Sequence, residues 1–478
     1  MPTPPLSRRS FVQYGTLTVA SALTWPARPL RGATGTPTAA AEFDVRKYGA
    51  VGDGRNLDSP AIQRAIDAAA AVGGGARVLI PAGHKFVVGT LELKSDIDFH
   101  LAGDAELLVS SDPTHYRNRA MLIADKAERL RISGTGNLNG RAREFMTHYD
   151  EAGEWWVPKE FRPRIAALTG CRDLEVRDIS FSEAPSWGLH LLGCERVLID
   201  GVRIRNLLDV PNCDGIDPDH CRDVEIRNCH IVCGDDAIVI KTTRQGMAYG
   251  PSARIYVHDC TIETQDSGLK IGTETTQTIE AVRFERCKIL SSCRGLTIQL
   301  RDEGDVRDIS FSDIEFVSRY HSDPWWGRGE AISFTALPRT SQTKVGKIEN
   351  VTVRNVTGRA ENSIRVEGTP DRRVSHIHFE NVNVKLERWT KYRGGIFDNR
   401  PTTAAVALEP HGTPGFSIRN ADDVTLRSCG ITWGENPPDY FSHALETENT
   451  TRLQVENFNS RSAHPDRIPA ISSSGNQT

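Results

Sequence analysis

The sequence predicts an all-β protein, a right-handed, single-stranded parallel β-helix (a solenoid) closed at its N-terminal end by one capping helix. Three observations carry that prediction. A unit of the form apolar-x-apolar-x-x-apolar-x-apolar recurs at Leu174, Val197, Val224, Ile255, Val282 and Ile309, and returns near Val351, Ile377, Val424 and Leu453. The first six are spaced by 23, 27, 31, 27 and 27 residues, a period at which stacked supersecondary units bury a continuous core. Each unit offers two short period-2 strands with a bend between them, as in Val224-Glu225-Ile226 and Cys229-His230-Ile231. Finally, Cys229, Cys260, Cys287 and Cys429 share one phase of the unit, and Cys171, Cys194 and Cys221 share another. Columns of buried thiols explain that phasing, because free cysteine packs as a small hydrophobe.

The elements follow in chain order. Ser7-Arg8-Arg9-Ser10-Phe11-Val12, a weakly apolar run from Tyr14 to Trp25 and a Pro/Ala/Gly/Thr-rich stretch read as a Tat-type signal and linker over residues 1–40. The expectation is export to the periplasm or the extracellular space; a basic tail is the alternative reading. Residues 41–478 are read as one β-helix domain. Ser59-Pro60 start a helix with Ile62, Ala65, Ile66 and Ala69 on one face, and Gly73-Gly74-Gly75 end it. Long insertions at 142–164, 321–346 and 386–416 interrupt the rungs and are expected to shape a cleft. Past Phe458 the pattern stops and the tail is expected to fray.

Composition excludes several classes. A formal charge of −4 with 25% charged residues leaves no basic footprint for nucleic acid. No stretch approaches the roughly 18 apolar residues that span a membrane. No Cys/His spacing suggests zinc. The chain is expected to work as a monomer with no cofactor.

The chemistry sits at one place in the repeat. Asn212-Cys213-Asp214-Gly215-Ile216-Asp217 is followed by Gly234-Asp235-Asp236-Ala237. Counting from the in-phase cysteines puts Asp235 and Asp266 at one offset, and Asp236, Ser267 and Arg294 at the next. Residues at one offset on adjacent rungs stack about 4.8 Å apart. Asp214, Asp235 and Asp236, with Asp217 and Asp266 beside them, therefore crowd one patch. A single aspartate at such a bend is commonly structural. Several on adjacent rungs repel and raise one another's pKa, which suits acid/base catalysis. Calcium, bound by oxygen ligands alone, and a purely structural cluster remain the alternatives.

These residues resemble a known family. Phe43-Asp44-Val45-Arg46-Lys47-Tyr48-Gly49-Ala50-Val51-Gly52-Asp53-Gly54 is similar to the N-terminal signature of the pectin-lyase-like superfamily. The Asn-x-Asp-Gly-x-Asp and Gly-Asp-Asp pair, 21 residues from Asp214 to Asp235, resembles glycoside hydrolase family 28, the polygalacturonases. The resemblance implies inverting hydrolysis of a pectic or related polysaccharide, with Asp235 as general acid and Asp214 and Asp236 as the base. Inverting enzymes generally separate acid and base by roughly 6.5–9.5 Å.

The departures bear on substrate. The family's Gly-His-Gly becomes Asp266-Ser267-Gly268, and its Arg-Ile-Lys becomes Thr297-Ile298-Gln299. Both cations that the family uses on a galacturonate carboxylate are gone. That points to another linkage, such as rhamnogalacturonan, or to exo action, with Asp266 as a stand-in for the histidine. Asp217, Asp266, Ser267, Lys270, Arg294, Trp325, Trp326 and Arg328 are the candidate substrate contacts. Arg301 shares their face, and each cation taken alone reads first as a solvated or ion-paired surface residue and only second as a substrate contact. Each of Trp325-Trp326 and Trp155-Trp156 reads as a sugar-stacking ring or as a loop anchor. A polysaccharide lyase or a non-catalytic carbohydrate-binding β-helix is the alternative.

Overall fold

The computed structural model describes residues 41–475; the twin-arginine segment and its linker lie outside the described residues. Thirty-five strands join in one continuous parallel sheet that winds as a right-handed β-helix. All ten repeat positions stand in one unbroken register. Leu174 pairs with Val197, then Val224, Ile255, Val282, Ile309, Val351, Ile377, Val424 and Leu453 in turn. The register survives the long gaps because insertions leave the solenoid and return to the same column.

The bends are made at two fixed places. The residue just before each repeat position is left-handed on every one of these rungs, from Asp173, Arg196 and Asp223 to Asp423 and Arg452. The residue four after it is left-handed as well, among them Asp178, Asn228, Asp259, Asn355, Asn381 and Asn457. An L-residue there costs roughly 1–2 kcal/mol, least for Asn and Asp. Amide ladders between rungs offset part of it: Asn355 Nδ2 donates to Asp313 at 3.0 Å, and Asn381 Nδ2 to Asn355 at 3.0 Å.

The interior is apolar. All ten cysteines are free and buried, seven of them at the two phases of the repeat. The helix Ser59–Val72 buries Ala61, Ile62, Ala65, Ile66 and Ala69 over the first rungs, with Pro60 in its first turn. At the other end the tail does not simply fray: Ile471–Ser474 adds a strand to Leu445–Glu448.

Each rung holds three strands rather than two. The third runs through Ile216–Asp219, Ile238–Thr242, Ser267–Thr275, Arg294–Leu300, Glu330–Ala336 and Asn362–Glu367. Its strands are buried almost throughout, so the polar-out alternation that reveals the other two is missing. The outward face of this third sheet carries the site.

Candidate active site

From Asp214 to Glu330 each rung of the third sheet begins with a polar residue, a small residue and an aliphatic one, and on the rung before them Trp187 takes the polar place. Gly188, Gly215, Ala237, Gly268, Gly295 and Ala331 occupy the small position because the rungs nearly touch there. A Cβ on Gly215 would meet the Ala237 carbonyl oxygen at 2.3 Å, and one on Gly295 the Ala331 oxygen at 2.5 Å. The polar residues before them form one column: Trp187, Asp214, Asp236, Ser267, Arg294 and Glu330, aligned by the pairings Leu189–Ile216, Ile216–Ile238, Ile238–Leu269, Ser267–Arg294 and Arg294–Glu330. Asp235 and Asp266 stand in the adjoining column, as the pairing of Cys233 with Thr264 requires.

Asp214, Asp235 and Asp236 converge, with one carboxylate oxygen of each within 4.8 Å of the others. Their surroundings differ. Asp236 is buried and ion-paired with Lys270, whose Nζ lies 2.7 and 3.0 Å from its two oxygens. Asp214 and Asp217 share Lys241, with Nζ 3.3 Å from an oxygen of each. Asp235 is half-buried and has no cation at ion-pair distance among the described residues. It accepts from the backbone N–H of Asn212 and of Asp236, each at 2.9 Å.

The electrostatics follow. Burial pushes Asp235 well above the usual carboxylate range, and the charges of Asp214, Asp236 and Asp266 push it further. Burial and the Asp217 charge raise Asp214. Burial lifts Asp217 to about 6 against the pull of Lys241, and it lifts Asp266 to about 6 against Lys270. Asp266 takes a 2.8 Å hydrogen bond from Ser267 Oγ. The three aspartates offer oxygen ligands of the kind calcium takes, but Lys241 and Lys270 already bring the positive charge that a cation would supply.

The other candidates separate into those near the aspartates and those bound elsewhere. Lys270 belongs to the site. Arg294 is fully buried, 3.3 Å from Asp398 and 3.6 Å from Glu330, so it is an internal ion pair and not a surface cation. Arg328 is buried too and pairs with Asp323 at 2.7 Å inside its own insertion. Trp325 is a loop anchor: it is buried, its indole N–H donates to the Glu154 carbonyl, and its ring meets Trp155 edge-on. Trp326 is half-buried. Arg301 is fully buried with two guanidinium nitrogens unpartnered; burial and the nearby Arg294 hold it down to about 9.

The insertions are locked together. Glu154 of the first meets Trp325 of the second and Lys391 of the third, at 2.5 Å. The hairpin of Ile396–Asp398 and Leu408–Pro410 lies over the sheet beyond the aspartates. Arg400 donates to the carbonyl oxygens of Asp323 and Trp325, and its own carbonyl accepts from Gln299 Nε2 at 3.1 Å. Thr297, Gln299, Arg301, Thr335 and Arg365 are all buried beneath this roof. On the other side of the aspartates lies an open cleft of about 1070 Å³, lined by Arg119, Arg162, Arg164, Ser186 and His190 among others.

Two central residues escaped the sequence reading. Lys241 is the last outward position of the strand after Gly-Asp-Asp, and Trp187 occupies Asp214's position one rung earlier. The Trp187 ring lies between the Lys241 ammonium, 4.2 Å from its centroid, and the Arg164 guanidinium, 4.5 Å away. Stepping back one rung along the polar–small–aliphatic pattern would have found Trp187.

Three convergent aspartates on the outward face of a parallel β-helix are the site that a glycosidase of the β-helix class would need. The chain belongs to the family described as Glycosyl hydrolases family 28, whose profile matches residues 73–393. A probable polygalacturonase of Vitis vinifera is 28% identical over 432 residues, covering 80% of this chain and 85% of that one. In fold, the chain is similar to the family 28 exopolygalacturonase of Yersinia enterocolitica, with a TM-score of 0.66 at 18% identity over 92% of this chain and 78% of that one. The exopolygalacturonase of Thermotoga maritima gives 0.57 at 23%, over 74% and 88%.

Proposed function

We propose that this glycosidase hydrolyses a pectic backbone by general acid/base catalysis, with Asp235 as the acid and Asp236, seconded by Asp214, activating the water. The single observation that carries the assignment is the contrast in partners. Asp235 has only two backbone N–H donors and is pushed above the usual carboxylate range by burial, whereas Asp236 is held as an ion pair by Lys270. Pairs of carboxyl groups driven apart in this way divide into acid and base.

Retention, which uses carboxyl groups roughly 5–5.5 Å apart, is the alternative to inversion, which uses roughly 6.5–9.5 Å. Inversion is the reading that the family resemblance implies. The anomer first released, read by proton NMR, decides between them.

The substrate is proposed as rhamnogalacturonan or a pectic chain attacked from one end. Gln299 and Thr297 replace the uronate clamp and lie under the hairpin, and an open cleft lies on the N-terminal side of the aspartates. Reducing-end release and product length are to be measured on polygalacturonate, rhamnogalacturonan and their oligosaccharides, with Asp235→Asn as control. Activity on rhamnogalacturonan, lost in the variant, supports the proposal; wild-type silence on every pectic substrate sinks it. Export through the twin-arginine segment and action as a monomer complete the proposal. Cell fractionation and sedimentation test those two points.

A further inference from the structure

The missing clamp raises the question of where this chain reads the charge of an acidic sugar. The open cleft holds the answer in its cations. Arg164 is half-buried at the cleft wall, with its NH1 3.0 Å from His190 Nδ1 and its guanidinium over Trp187. It has no carboxylate at ion-pair distance among the described residues. Arg119, on the neighbouring rung, has its carbonyl bonded to the Arg164 backbone N–H at 2.8 Å. One Arg119 nitrogen donates to the Glu160 carbonyl oxygen, its guanidinium lies over Phe161, and no carboxylate pairs with it. Burial depresses Arg164 against the pull of the Asp217, Asp214 and Asp219 charges, and the Arg119 charge adds to the fall.

The neighbouring arginines are already engaged. Arg162 ties the carbonyls of Pro185 and Pro211 and the side chain of Asn212, whose N–H holds Asp235, so it positions the acid. Arg117 pairs with Glu92 at 3.1 Å. Arg119 and Arg164 line the cleft with one hydrogen bond each from their guanidinium groups, beside the half-buried Trp187 ring. A planar guanidinium is the group best matched to a carboxylate, and an aromatic ring beside it suits the apolar face of a sugar.

We propose that Arg119, Arg164 and Trp187 form a uronate-binding subsite on the N-terminal side of the catalytic aspartates, so that charge is read there, while the roofed Thr297/Gln299 side takes an uncharged residue. The inference rests on the pectic reading above. Its test separates the two. Trigalacturonate and its carboxyl-reduced, neutral counterpart are titrated calorimetrically into Asp235→Asn protein at low and moderate salt. The acidic sugar is expected to bind at least about tenfold more tightly, the worth of one charge-assisted contact. Arg119→Gln/Arg164→Gln in that background is expected to abolish the preference while leaving affinity for the neutral sugar within about twofold. Arg164→Lys is expected to restore part of it, which a loss of folding would not allow. Equal binding of both sugars by the parent, or parallel loss of both in the double variant, overturns the subsite. Wild-type turnover is read separately. A preserved charge preference without turnover of any pectic substrate supports the subsite and counts against the hydrolytic reading alone.

Discussion

Lys241 is the residue on which the electrostatics of the site turn. Its Nζ lies 3.3 Å from an oxygen of Asp214 and 3.3 Å from one of Asp217, all three side chains being buried. At an effective dielectric near 20 each contact is worth about 5 kcal/mol before desolvation. Breaking a buried pair from one side typically costs about 3–5 kcal/mol. Lys241→Met keeps the stem against Trp187 and removes only the charge. The stranded carboxylates can answer by holding protons, so the penalty depends on pH. A carboxylate raised in the folded state leaves the native protein with more bound protons than the unfolded chain, and stability then falls as pH rises. In the wild type Asp217 contributes this fall as pH climbs from about 4 through its folded value of about 6. Without Lys241 the window extends upward. The variant is expected to lose about 3 kcal/mol or more at pH 8 and clearly less at pH 5, read as thermal midpoints at both values. The acidic limb of its kcat/KM profile is expected to move alkaline by at least about one unit. Equal destabilisation at both pH values with an unmoved limb would refute the reasoning.

Three further outcomes follow from the same geometry. Trp187→Ala removes the wall between Lys241 and Arg164. It is expected to raise KM by about tenfold with a smaller change in kcat, since a buried ring contact is worth about 1 kcal/mol or somewhat more; an unchanged KM in steady-state kinetics counts against a substrate contact. Arg301→Met replaces a buried, partly unpartnered cation by an apolar chain and is expected to be neutral or to stabilise at pH 7 by about 1–4 kcal/mol, seen as a midpoint that does not fall. Reducing agent is expected to leave the thermal midpoint unchanged, because all ten cysteines are free and buried; a drop on reduction would mean that the stacked columns pair.

The repeat was legible because its chemistry is local. A left-handed residue before each repeat position and another four after it impose the spacing that the apolar pattern shows, so a count along the chain yields the register of all ten rungs. That same count placed Asp236, Ser267 and Arg294 in one column and Asp235 with Asp266 in the next. The third strand was not legible: its outward residues are polar yet covered by insertions, so neither alternation nor a plain apolar run marks it. The cations failed for a related reason. Arg294 and Arg328 read as solvated from sequence, since nothing local announces that Asp398, more than a hundred residues later, folds back over Arg294. Trp187 was missed because the column was followed forward from Asp214 and not backward, and Lys241 because it stands at the far end of the unrecognised third strand.

The solenoid explains why so costly a cluster persists. Register fixes one side chain per rung at each offset, so a column cannot splay apart to relieve repulsion as a loop would. Its charges must be balanced within the face itself. Along the sheet they are: Lys241 serves Asp214 and Asp217, Lys270 serves Asp236, and Arg294 serves Glu330 and Asp398. Asp235 alone is left without a cation, at the point where the roof ends and the cleft opens. Burial and the charges of Asp214, Asp236 and Asp266 push it above the usual carboxylate range, the direction that the proposed role of proton donor requires. In that reading the acid is specified less by its own sequence position than by the two lysines that pair with its neighbours and pass it over.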